Sequence, residues 1–150
     1  MDEDGPIEDV ADDGLADELR QSIGALVRTV RAVDTMPPGE AAALGYLDRG
    51  GPLTTADLAQ RRGVTHQSAA KSVKELAAGG LVRAEPHPSD GRKLLLHITD
   101  DGRARLKGER AQRARVLDAA IRDEFSAEER RRLADCVGLL SRLTGRLAGR

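Results

Sequence analysis

Residues 53–99 read LTTADLAQRRGVTHQSAAKSVKELAAGGLVRAEPHPSDGRKLLLHIT. Thr54, with Asp57 three residues on, marks a helix start. The hydroxyl can accept from a first-turn amide, and the carboxylate suits the positive end of the helix dipole. Leu58 and Ala59 supply an inner face, and Gly63 is the expected stop, where a residue without Cβ takes positive φ cheaply. Val64 fills the corner, and Thr65 caps a second helix, Thr65 to Ala78. Its apolar Ala69, Val73 and Leu76 recur at i, i+4 and i+7 and so face inward, leaving His66, Gln67, Ala70, Lys71 and Lys74 on the other face. After Gly79-Gly80 come two β-compatible runs, Leu81 to Glu85 and Lys93 to Ile98. The turn formers Pro86-His87-Pro88-Ser89-Asp90-Gly91-Arg92 lie between them.

Helix, turn, helix, β-hairpin is the order of a winged helix-turn-helix: a mostly α fold with a small β-hairpin wing (α+β), whose usual work is to lay one helix in the major groove of DNA. A polar, partly cationic face with a small Ala70 can approach a groove closely, yet an ordinary solvated helix looks the same. The hairpin separates the two readings. Arg92 and Lys93 leave the turn on its second side, within reach of phosphates or a minor groove.

The ordered set Gly51-Pro52-Leu53-Thr54, Asp57-Leu58-Ala59, Gly63-Val64-Thr65, Leu76 with Gly80-Leu81-Val82, Asp90-Gly91-Arg92, Thr99 and Gly102 resembles the MarR (multiple-antibiotic-resistance regulator) type of transcription factors. The resemblance is close over residues 38–102 and rests on helix pattern alone at the two ends. It implies that Thr65 to Ala78 is the recognition helix and that Arg92, in the family's Asp-x-Arg, is the wing residue that enters the minor groove. One departure concerns base reading: where the family often has Thr-Val-Thr-Arg, this chain has Ser68-Ala69-Ala70-Lys71, which keeps a charge but loses the bidentate fork of Arg.

The net charge of −1 is misleading for a nucleic-acid binder until it is divided. Residues 1–18 hold nine of the 25 acids and no base, which leaves 16 acids against 24 bases in the rest, a net of +8. The local field, not the total, attracts phosphate. Aromatics are only 1%, so the core must be Leu, Val, Ile and Ala. A single Cys excludes an intrachain disulfide, no apolar run approaches bilayer length, and the acidic N-terminus is unlike a secretory signal. A cytoplasmic protein without membrane partners is expected.

Four segments follow: an acidic, disordered tail over 1–14, an N-terminal dimerisation helix over 15–37, the winged lobe over 38–99, and C-terminal helices completing the dimer interface over 100–150. In the first helix Leu15, Leu19, Ile23, Leu26, Val27, Val30 and Val33 form one stripe. Met36-Pro37-Pro38-Gly39 ends it, and Glu40 to Arg49 is a short helix facing inward with Ala43, Leu44 and Leu47. Asp100 to Arg122 is helical and basic, its arginines mostly a solvated face. Ser126-Ala127-Glu128-Glu129 is a capping box opening a last helix with Leu133, Cys136, Val137, Leu140, Leu143 and Leu147 along one side. The terminal stripes exceed what one small core can cover, and a two-fold dimer is the economical answer, which the resemblance also implies. Such a dimer expects double-stranded DNA with a pseudo-palindromic operator.

No phosphate loop, nucleophile elbow or Cys/His pair marks an enzyme, and no cofactor is expected. His66, His87 and His97 fall on a helix, a wing tip and a strand, so a zinc set would need carboxylates as well. Cys136 at apolar spacing is expected to be buried and inert. The resemblance implies a small-molecule effector of unknown identity, to which only Tyr46 and Phe125 offer stacking. The expected DNA contacts are Thr65, His66, Gln67, Ser68, Lys71, Lys74, Arg92 and Lys93, with Asp90 orienting the Arg92 guanidinium. Leu15, Leu19, Ile23, Leu133, Val137, Leu140, Leu143 and Leu147 are the expected dimer contacts. The reading is therefore a homodimeric regulator of transcription, a repressor of a nearby gene. Its rivals are a winged-helix protein-interaction module without DNA binding and an oxidant sensor acting through Cys136.

Overall fold

The computed structural model describes residues 14–150, so the expectation for the acidic tail lies outside the described residues. The elements are α1 (Leu15–Arg31), α2 (Pro38–Gly50), α3 (Thr55–Arg62), α4 (His66–Ala78), β1 (Val82–Pro86), β2 (Leu94–Ile98), α5 (Asp100–Glu124) and α6 (Ala127–Ala148). The expected mostly helical fold with one hairpin is observed. The chain divides into two units, Met1–Val33 and Asp34–Arg150.

In the first unit, α1 has no buried residue. Asp17 and Glu18 lie in its first turn and Arg28 and Arg31 in its last, which suits the helix dipole at both ends. Leu15, Ile23, Leu26 and Val27 are exposed large apolar side chains.

The second unit is built on caps and leucines. Thr54 and Asp57 cap α3 reciprocally: the Asp57 amide donates to Thr54 Oγ1 at 3.1 Å, and the Thr54 amide donates to Asp57 Oδ2 at 3.0 Å. These bonds hold the Asp57 carboxyl below its ordinary value. Gly63 ends α3 with φ 65°. Pro38 opens α2 two residues before the expected start, as its fixed φ and missing N–H allow at the first helical position. Leu44, Leu47, Leu58, Leu76 and Leu96 are fully buried. Met36, Leu53, Val82, Ile98 and Leu106 complete the core between α2, α3, α4, the hairpin and the start of α5.

The strands pair antiparallel from Val82↔Ile98 to Pro86↔Leu94. Each begins one residue later than expected. The Leu81 amide still closes the end of α4 on Leu76 O at 2.9 Å, and the Lys93 amide belongs to the loop, bonded to Asp90 O at 3.0 Å. Leu53 adds a bridge to Leu96, with amides and carbonyls exchanged at 2.8 and 3.2 Å.

Behind the hairpin, Gly102 lets α5 approach the Leu81 carbonyl so closely that a Cβ there would lie 2.2 Å from its oxygen. Thr99 fixes the junction: its hydroxyl donates to Gly80 O at 2.7 Å and accepts from the Gly102 amide at 3.0 Å. The seam of α5 that meets the lobe runs Gly102, Leu106, Glu109, and its later turns are largely exposed. Residues 34–36, grouped with the N-terminal helix on sequence grounds, belong instead to this unit, with Met36 in its core. The capping box of Ser126 and Glu129 opens α6, which has no buried residue. No helix among the described residues is long and apolar enough to cross a membrane.

Candidate nucleic-acid interface

Two buried residues set the orientation of α4: Ala69 and Leu76 are turned into the core and leave His66, Gln67, Ser68, Lys71, Lys74 and Glu75 exposed. Thr65 accepts from the Ser68 amide at 3.1 Å. Its hydroxyl proton stays available, and the first-turn amides of His66 and Gln67 have no partner within the helix, a geometry suited to an anion. Behind α4, Arg62 donates to Ser72 Oγ at 3.3 Å, which ties the end of α3 to the middle of α4. The outer face forms an open groove of about 710 Å³ lined by Thr65, Gln67, Ser68, Ala70, Lys71, Lys74 and Glu75. Glu75 was not anticipated there; it adds one negative charge at the far end of a cationic face.

The wing tip is held by its own polar groups. The Ser89 amide donates to His87 Nδ1 at 3.2 Å, and the His87 amide donates to Lys93 O at 2.9 Å. Contrary to the sequence expectation, Asp90 does not hold the Arg92 guanidinium. Its Oδ1 accepts from the Arg92 backbone amide at 3.1 Å, the short reach of an Asp side chain closing a local turn. The Arg92 side chain is thereby exposed, as are Lys93 and Leu94. Leu94 escaped the sequence reading because Leu94-Leu95-Leu96 shows no alternation that separates the inner from the outer face.

His66, Lys71, Lys74, Arg92 and Lys93 have no ion-pair partner among the described residues. His97 is otherwise placed than an unremarkable strand residue: it meets Glu85 at 2.5 Å, and that bond lowers the Glu85 carboxyl. Tyr46 is also committed, its hydroxyl donating to Arg61 O at 3.0 Å and its ring lying under Arg49. Cys136 is exposed, contrary to the expected burial, on a helix that has no buried residue. Along the same helix Leu133, Val137, Leu143 and Leu147 are exposed and Leu140 is half-buried; Leu139, at 59% exposure, widens the stripe beyond the residues expected. Among the described residues no three His, Cys, Asp or Glu side chains gather as a metal set.

The sequence profile described as MarR family matches residues 34–93, which span α2 to the wing tip. Over 110 residues the chain is 32% identical to an uncharacterized HTH-type transcriptional regulator of Mycobacterium leprae, covering 71% of this chain and 77% of that protein. The chain belongs to the MarR family. A solved structure of a Pseudomonas aeruginosa protein described as a transcriptional regulator superposes with TM-score 0.77 at 30% identity, over 89% of this chain and 95% of that one. The PcaV transcriptional regulator of Streptomyces coelicolor, solved with its natural ligand, gives TM-score 0.52 at 25% identity, over 88% and 92%. This MarR-family chain is thus a winged-helix, DNA-binding regulator of transcription and not an enzyme.

Proposed function

We propose that this regulator acts in the cytoplasm as a homodimeric repressor of a nearby gene, bound to a pseudo-palindromic operator in double-stranded DNA. The observation that carries the reading is the row of cations without ion-pair partners among the described residues on α4 and the wing, beside an open groove lined in part by small Ala70. In this account α4 enters the major groove. Gln67 pairs bidentately with an adenine edge, Lys71 reaches guanine O6/N7 or a phosphate, and Thr65, His66, Ser68 and Lys74 hold the backbone. Arg92 enters the minor groove, Lys93 meets phosphate, and Asp90 shapes the turn that projects Arg92. The segments take the roles of N-terminal dimerisation helix, winged lobe and C-terminal dimerisation helices.

The dimer is supported by large apolar side chains that are exposed among the described residues. Leu15 and Ile23 on α1 and Leu133, Val137, Leu143 and Leu147 on α6 are exposed, and Leu19 and Leu140 share their stripes. Cys136 lies among the α6 residues and is covered with them on dimerisation. A symmetric pair presents two copies of α4 about one DNA turn apart. A small-molecule effector that releases the operator is supported by the likeness to PcaV with its ligand bound.

The test joins light scattering to a gel shift on the promoter region of the regulator's own gene, repeated at two salt concentrations. Leu140→Glu with Leu143→Glu should give monomer or aggregate and lose the shift. A stable, DNA-binding dimer in that variant contradicts the dimer reading. A wild type that shifts no DNA at either salt points instead to a protein-interaction module.

A further inference from the structure

On α5, Glu109 is the one buried charged residue among the described residues, 4% exposed. It accepts from the Thr35 amide at 3.0 and 3.3 Å and from the Thr35 hydroxyl, and Arg105 bridges both, donating to Glu109 at 3.3 Å and to Thr35 Oγ1 at 3.0 Å. One turn further along α5, Arg113 grips Asp34 with a two-pronged contact, both bonds 2.7 Å. Between α1 and α2, residues 34 and 35 are therefore fastened to α5 by a guanidinium fork and a carboxylate clamp, and Met36 is buried in the core cluster that includes Leu106. Gly102, Leu106, Glu109 and Arg113 lie at i, i+4, i+7 and i+11, a single helical seam. The seam ends at Arg113: Ala114, Arg115 and Val116 are exposed, and α5 continues to Glu124 as a stalk leading to α6.

Apolar contacts alone tolerate small sliding, whereas a bidentate Arg–carboxylate pair has one favoured geometry. We infer that Glu109 with Thr35, and Arg113 with Asp34, are positioning residues for operator recognition: they fix the angle at which α5 leaves the lobe and so the separation of the two recognition helices. The inference rests on the dimer proposed above, since only a dimer has a separation to set.

The experiment uses the full chain and duplexes selected by the wild-type protein from a random-sequence library. From the selected duplex, versions are made with the central spacer longer or shorter by one and two base pairs, together with an isolated half-site. Arg113→Gln removes the fork, and Arg113→Lys keeps the charge without it. Thr35→Val removes only a hydroxyl, so a folded variant is available if the others are destabilised. At the selected spacing Arg113→Gln should bind about tenfold more weakly, and the penalty for changing the spacer should shrink to about twofold. Arg113→Lys should fall between, and the isolated half-site should be bound as by wild type. A merely structural role would weaken every duplex in parallel. Folded, dimeric variants that keep the wild-type spacing penalty would overturn the inference while leaving the dimer intact. A wild type that selects single half-sites and is monomeric would overturn both.

Discussion

Helix α5 and the α4–wing surface are both basic, but they hold their cations in opposite ways. On α5, Arg103, Arg105, Arg110, Arg113 and Arg122 each reach a carboxylate and Arg115 reaches Gln112 Oε1 at 2.6 Å, leaving Lys107. On α4 and the wing, Lys71, Lys74, Arg92 and Lys93 have no such partner among the described residues. A paired arginine must give up its carboxylate before it can neutralise a phosphate, whereas an unpaired one exchanges only water and counterions. On the proposed reading, the number of basic residues in a helix does not by itself locate the DNA-binding face. What distinguishes the two regions is whether acids from the same chain already answer them.

The largest effect is expected where both regions depend on one residue. Gly102→Ala would place a Cβ 2.2 Å from the Leu81 carbonyl oxygen and 2.8 Å from Ile98 Cγ1. The α5–hairpin junction must then shift, at a cost of about 3 kcal/mol in urea unfolding, and DNA binding should fall with it. A variant as stable as wild type would mean that the junction yields freely and that the two regions are not rigidly joined.

Next come single charges, one from each region. Arg113→Ala leaves Asp34 without its fork and should cost about 2 kcal/mol of stability, less than for a fully buried pair because Arg113 is part-exposed. The salt dependence of binding should not change. Lys71→Ala should leave stability within about 0.5 kcal/mol while affinity falls and the salt slope flattens. If Arg113 and Lys71 exchanged these phenotypes, the contrast between paired and unpaired regions would be wrong.

A titration sharpens the α5 side. Glu109 has its carboxyl held below the ordinary value of 4.5, chiefly by the Thr35 hydroxyl and amide and then by Arg105. A depressed carboxylate contributes stability above its unfolded value, and that contribution is lost as pH falls through the lower folded value. Glu109→Gln should therefore cost about 1 kcal/mol near neutrality, and its deficit against wild type should narrow in acid, below about pH 4.5. A deficit that stayed constant from pH 7 to pH 3 would show that the charge of Glu109 is not what the clamp uses.

The smallest effect concerns residues 1–13, which carry seven of the chain's acids. Their deletion should tighten DNA binding modestly at low salt, the gain fading as added salt screens the field. Equal affinity at every salt would leave those acids without influence on the cationic face.

Local signals were legible in the sequence, and distant partnerships were not. Thr54, Asp57, Gly63, Thr65, Ser126 and Glu129 announced their caps because capping chemistry spans three or four residues. Ala43, Leu44, Leu47, Ala69 and Leu76 announced their burial by helical spacing. The basic face of α5 is mostly exposed, as expected, Arg113 excepted, but its pairing was not legible, because Thr35, Asp34 and Asp48 lie 62 to 79 residues away in sequence, where no spacing rule applies. The exposure of Cys136 escapes the sequence for a related reason: apolar periodicity reports that a face wants covering but not what supplies the cover. For Asp90 the sequence points to the guanidinium of Arg92, whereas the nearer backbone amide takes it.

The claim that unpaired cations, not basic residues in general, meet DNA is tested most directly by comparing Arg92→Ala with Arg122→Ala. Both remove one guanidinium; Arg92 stands alone at the wing, and Arg122 pairs with Asp118 at 3.0 Å near the end of α5. Fluorescence anisotropy on one operator duplex, repeated over a series of salt concentrations, gives affinity and the slope of log K against log salt. Arg92→Ala should weaken binding and flatten the slope by about one unit, the loss of one phosphate-scale contact, while Arg122→Ala leaves both unchanged. Equal flattening in the two variants would mean that the general field of the protein governs binding, and would contradict the account.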